Sequence, residues 1–111
     1  MNRFFIISIF LSIFTLFNAQ AAIYKGQREF VKNCVGCHKS GQEFVARKKK
    51  IEWEKFLHHK GEKLADIHLK SLKAQESHTY FNSREFYNKT KHLEQFLLEY
   101  AKDSGNIPAC N

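Results

Sequence analysis

Apolar residues recur along the chain at helical rather than strand spacing. From Ile23 to Asn33, Ile23, Gly26 and Phe30 fall on one side, while Lys25, Arg28, Glu29 and Lys32 fall on the other, predicting a helix with a narrow buried stripe. Lys50 to His59 repeats the pattern with Trp53, Phe56 and Leu57 inward, and Gly61 breaks it. A helix over Glu62 to Ala74 follows, with Leu64, Ala65, Ile67, His68 and Leu72 on its apolar side. The stretch Gln75 to Tyr87 reads as a loop with one helical turn. The last helix runs from Lys89 to Asp103, burying Leu93, Phe96, Leu97 and Tyr100, with Ser104-Gly105 and Pro108 as its stop. No period-two stretch exceeds four residues, so the expected class is all-α, with about four helices.

The first residues follow a different rule. Arg3 precedes a run from Phe4 to Phe17 that is apolar except for Ser and Thr, and Ala19-Gln20-Ala21 follows. A short basic region, a short apolar run and a small-residue site make a secretory signal, expected to be cleaved after Ala21. The run is shorter than the roughly 20 residues that span a bilayer. The reading is therefore a signal over 1–21, one domain over 22–111, and a periplasmic location. Removing 1–21 takes away the only Met of the chain, Met1.

Composition adds one constraint. At 111 residues, with 43% hydrophobic and 26% charged residues, the chain has room for one small core, of the size that often needs a staple.

The staple is visible in the cysteines. Cys34-Val35-Gly36-Cys37-His38 is CxxCH, which in an exported chain reads as covalent attachment of one c-type haem. Each thiol adds across a haem vinyl group, sulfur to one carbon and hydrogen to the other. His38 is then held beneath the iron as its proximal ligand. A redox dithiol would want a βαβ setting, and a zinc site would want further ligand pairs at the usual spacing. Cys110, close to the C-terminus, is left over and reads as a small apolar residue, with a free thiol or a thiol paired between molecules as the alternatives.

Together these residues resemble the class I c-type cytochromes. Gly26-xxx-Phe30-xxx-Cys34-xx-Cys37-His38 is similar to that family's N-terminal helix and haem motif, and Leu93-xx-Phe96-Leu97 to its C-terminal helix. The resemblance covers both ends of the domain, about a third of it. It implies a small helical domain packed around its haem, crossing of the two terminal helices near Gly26, and transport of single electrons with no substrate turnover. One departure is plain: the family's distal Met is missing.

A second axial ligand must then come from elsewhere. His68 sits within an apolar face, flanked by Leu64 and Leu72, and a neutral imidazole there needs a partner. His78 comes close to where the family places its distal Met. Either is a candidate; His58 and His59, beside Lys60, read as solvated, and His92 as a helix-edge residue. Two imidazoles would give a lower potential than a Met/His pair. An open distal side would instead admit a small gas or peroxide.

The formal net charge is +7. Lysines cluster at Lys48-Lys49-Lys50 and recur at Lys55, Lys60, Lys63, Lys70 and Lys73. An exported chain of this kind is expected to meet redox partner proteins with acidic docking surfaces rather than nucleic acid. Transient contact with membrane-bound respiratory complexes, by a monomer, completes the expectation.

Overall fold

The computed structural model describes residues 20–106; the apolar run, the start of the signal segment and Cys110 lie outside them. Those residues are mostly helical and contain no strand, so the described part of the chain is all-α. No helix among them is long and apolar enough to cross a membrane.

Helix α1 occupies 20–33 and passes into a series of tight turns over 34–41. The backbone N–H of Cys34 and of Val35 both donate to Phe30 O, and that of His38 donates to Cys34 O at 2.8 Å, so the CxxCH segment is coiled against the end of α1. The short α2, Gln42–Val45, follows. The segment α3, Lys50–Leu69, leads to a 3-10 turn, Leu72–Ser77, then α4, His78–Phe81, and α5, Arg84–Glu99.

Helix α1 crosses α5 at Gly26. A Cβ placed there would collide with the carbonyl of His92 and lie 2.7 Å from Phe96 Cβ. Only glycine allows this approach, which brings Phe30 and Phe96 ring centroids to 5.3 Å. Phe30, Leu93, Phe96 and Leu97 are all buried, so the terminal helices form the back of the core. This is the crossing that the sequence resemblance implies.

Segment α3 is two helical pieces rather than one. His59, Lys60 and Gly61 have φ of 51°, 59° and 73°, and His58 is extended, so the break expected at Gly61 begins at His58. Phe86 stands under it: a Cβ on Gly61 would lie 2.6 Å from Phe86 Cζ. Trp53 and Leu57 anchor the first piece in the core, and the Trp53 indole N–H donates to Val45 O at 3.0 Å. The start of α3 is tied to the end of the chain. Lys50 N–H donates to Asp103 Oδ1, and Lys102 N–H to Lys48 O, both at 2.8 Å.

Several expectations need correction. The second piece of α3 ends at Leu69, not Ala74, because Ser71 turns to an extended conformation. Leu72 is therefore 87% exposed, while Ile67, still within the helix, is 44% exposed where it lines the cavity. The stretch 75–87 is mostly helical. The last helix begins at Arg84, where Ser83 caps it by accepting from Phe86 N–H at 3.2 Å, and it ends at Glu99 with Tyr100 half-buried. Glu29, placed on the polar side of α1, is buried at 4% exposure. Its carboxylate is met by Lys89 Nζ and by the Tyr80 hydroxyl, each at 3.2 Å, and by Asn33 Nδ2, also at 3.2 Å. A buried carboxylate is tolerated only with such partners, and none of them is near in sequence except Asn33.

Gly26→Ala should lower the melting midpoint by several degrees, since overpacking a tight crossing costs about 1–3 kcal/mol and each kcal/mol moves a domain of this size by about 4–8 °C. Gly36→Ala serves as the control, because nothing lies within 4 Å of a Cβ there. An unchanged or higher midpoint for Gly26→Ala would show that the helices do not meet at this point.

Candidate functional site

A cavity of about 360 Å³ opens between the CxxCH turns, α3, the 3-10 turn and the α1–α5 pair. Its volume lies within the range of small-molecule and cofactor sites. Phe30, Phe44, Trp53, Leu64, Leu93 and Leu97 supply apolar wall, and Lys48 and Lys73 are its cations. Cys34, Cys37, His38 and His68 line the same space.

His38 is placed by the turn after Cys34 and is stacked on Phe44, with ring centroids 4.0 Å apart. Burial, and then the neighbouring His68, push its imidazole below the usual range, which favours the neutral form that can bind a metal.

His68 comes from the second piece of α3. Its ring stacks on Phe81 at 4.3 Å, and its Nδ1 lies 2.7 Å from Leu64 O one turn back. A carbonyl only accepts, so Nδ1 carries the proton, and the lone pair of the neutral ring is on Nε2. That arrangement, one ring nitrogen held by a backbone carbonyl and the other free, is how ligating histidines are oriented.

The ring centroids of His38 and His68 are 6.2 Å apart and their planes are at 81°. A metal–imidazole bond is about 2 Å and a ring nitrogen lies roughly 1.2 Å from its centre, so two imidazoles on opposite sides of one metal sit roughly 6–6.5 Å apart. The pair has the spacing of two axial ligands.

His78, the other distal candidate, is not brought to the cavity. Its Nε2 is 2.8 Å from His68 O and 3.1 Å from Ser71 O, both acceptors. Nε2–H is therefore occupied with backbone. His58 and His59 are exposed at the kink of α3. His92 lines a separate, cation-bearing cleft between α1 and α5 and contacts Gln95 Oε1 at 3.3 Å.

Among the described residues no group of three or more His, Cys, Asp and Glu side chains could hold a bare metal ion. A porphyrin changes the arithmetic, because its four nitrogens leave the protein only two axial positions to fill. The paired thiols, the paired imidazoles and the apolar walls therefore fit a covalently held haem.

Sequence reasoning overlooked one polar element beside this site, the buried Glu29 cluster. Its carboxylate, together with burial, acts on Cys34. Burial is the larger cause, Glu29 and Cys37 add to it, and the Cys34 thiol is pushed up to about 12. The same causes, burial first and then Glu29, push the Tyr80 hydroxyl upward as well. Nothing in the periodicity of α1 marks Glu29 as inward. The signal that could have found it is Lys89, a cation at the edge of a buried helix face.

In the chain with both thiols free, Cys34 should alkylate at least tenfold more slowly than the exposed Cys37 at pH 8, because the thiolate is the nucleophile. Peptide mapping after timed alkylation measures both rates. Equal rates would show that Cys34 is not held against the core.

No family model matches the chain, and no curated protein or solved structure does.

Proposed function

We propose that the protein is a monohaem c-type cytochrome that carries single electrons between redox proteins, with one haem covalently bound at Cys34 and Cys37. The observation that carries this reading is the 6.2 Å spacing of His38 and His68 across the cavity into which both CxxCH thiols face. His38 is the proximal ligand and His68 the distal one.

When bound, the haem supplies a one-electron iron couple. The protein's own residues do the rest. Cys34 and Cys37 fix the ring through two thioethers, and His38 is fixed with them by the turn hydrogen bonds. His68, held at Nδ1 by Leu64 O, would hold the iron through Nε2. With the haem bound, His38 and His68 would both hold the iron and would leave a substrate no open place on it. Two imidazoles in place of a His/Met pair lower the potential. Phe30, Phe44, Trp53, Leu93 and Leu97 keep water away from the centre.

The lysines around this cavity, Lys48 and Lys73 on its wall, suit brief encounters with acidic redox partners, whose attraction is strongest at low salt. The export signal read from the first residues supports a periplasmic location, where thiols would be attached to haem outside the reducing cytoplasm.

Expressed in cells competent for haem attachment, the protein should stay coloured when denatured, with a mass one haem above the polypeptide. His68→Ala should turn the low-spin spectrum high-spin and bind CO readily when reduced. A colourless product of polypeptide mass would remove the haem. A wild type that is already high-spin would leave the distal side open, as in a gas- or peroxide-binding haem protein.

A further inference from the structure

His78 was a distal candidate by its position in the chain, yet its ring is spent on backbone. The carbonyls it meets are not ordinary ones. His68 O is among the last carbonyls of α3, and Ser71 O stands at the start of the 3-10 turn, where it also accepts from Ala74 N–H at 3.2 Å. The end is otherwise closed only by a tight turn, with Lys70 N–H donating to Asp66 O and Ser71 N–H to His68 O, each at 3.1 Å.

We propose that His78 is a positioning residue for His68: its Nε2–H, shared between His68 O and Ser71 O, latches the end of α3 and the 3-10 turn beside it into the place that keeps the His68 imidazole opposite His38. This rests on the reading of His68 as the distal iron ligand.

The contact acts on the backbone of the very residue whose side chain faces His38. It also acts on Ser71, which lines the cavity together with Ala74 and Ser77 of the 3-10 turn. Ser77 Oγ–H donates to Ala74 O at 2.6 Å and Ala74 N–H to Ser71 O at 3.2 Å, so the turn is internally braced, and the His78 side chain adds a tie back to α3. Helix α4 carries both devices that act on His68. His78 at its first residue holds the backbone, and Phe81 at its last stacks on the ring.

The latch predicts a kinetic signature. In a closed six-coordinate haem, CO enters reduced iron only after the distal imidazole leaves, so the limiting rate at saturating CO reads how firmly His68 is held. His78→Ala should keep a low-spin spectrum and raise that rate about tenfold, the scale expected when one hydrogen bond to a held group is lost. His78→Gln, which carries an amide N–H at comparable reach, should restore a rate near that of the wild type. His78→Asn, too short to reach both carbonyls, should behave like His78→Ala and replaces it if that variant does not fold.

A second readout needs no haem. Hydrogen exchange at the Lys70 and Ser71 amides should accelerate in His78→Ala and recover in His78→Gln. An unchanged CO rate in His78→Ala, or a His78→Gln rate equal to that of His78→Ala, overturns the latch. A high-spin His78→Ala that binds CO at once would make His78 the ligand and overturn it too. If His68→Ala stays low-spin, the distal assignment fails instead. The exchange at Lys70 and Ser71 then still decides whether His78 latches the helix end.

Discussion

The close crossing of α1 and α5 at Gly26 is the constraint from which the site follows. With no Cβ at this position, the α5 backbone at His92 can lie against α1. Phe30 then reaches Phe96, and the same pair of helices presents Phe30, Leu93 and Leu97 to the cavity as its rear wall. Because the CxxCH turns are hydrogen-bonded to Phe30 O, the depth of the crossing also sets where Cys34, Cys37 and His38 begin. A wider crossing would move wall and anchor together.

The opposite side of the cavity is built differently. It depends on polar contacts between segments distant from each other in the chain. The kink at His58–Gly61 redirects α3 so that its second piece carries His68 toward His38, and Thr90 Oγ1, whose hydroxyl donates to Phe86 O, lies 3.3 Å from Lys60 O at that kink. Glu29 draws α1, α4 and α5 together through Tyr80 and Lys89. These buried contacts are worth more as positioning than as stability, since a paired buried charge offsets its own desolvation at best.

What was legible in the sequence divides along the same line. Features fixed by neighbours in the chain were readable: the all-α class, the inward stripe of α1 and α5, the glycine at their crossing and the break at Gly61. The spacing of Cys34, Cys37 and His38 is itself the signal for the proposed site, and the fold places all three on one cavity. What depends on contacts across the fold was not. The exposure of Leu72 comes from a helix that stops at Leu69 and unwinds into a 3-10 turn. The burial of Glu29 comes from three donors, two of them more than fifty residues away. His68 and His78 were both candidates on different grounds, His68 for its apolar helix face and His78 for its place in the chain relative to Leu93. Which of them faces His38 is decided by the kink and by the carbonyls at the end of α3.

The central claim is that one iron is held between His38 and His68. Low-temperature electron paramagnetic resonance of the oxidised, haem-loaded protein reads this directly, because the signal depends on the two axial ligands and on the angle between their rings. With imidazole planes at 81°, the account predicts a low-spin ferric signal of strong anisotropy, of the kind given by two nearly perpendicular imidazoles, and its disappearance in His68→Ala. A high-spin ferric signal in the wild type, or a low-spin signal that survives His68→Ala unchanged, would contradict it.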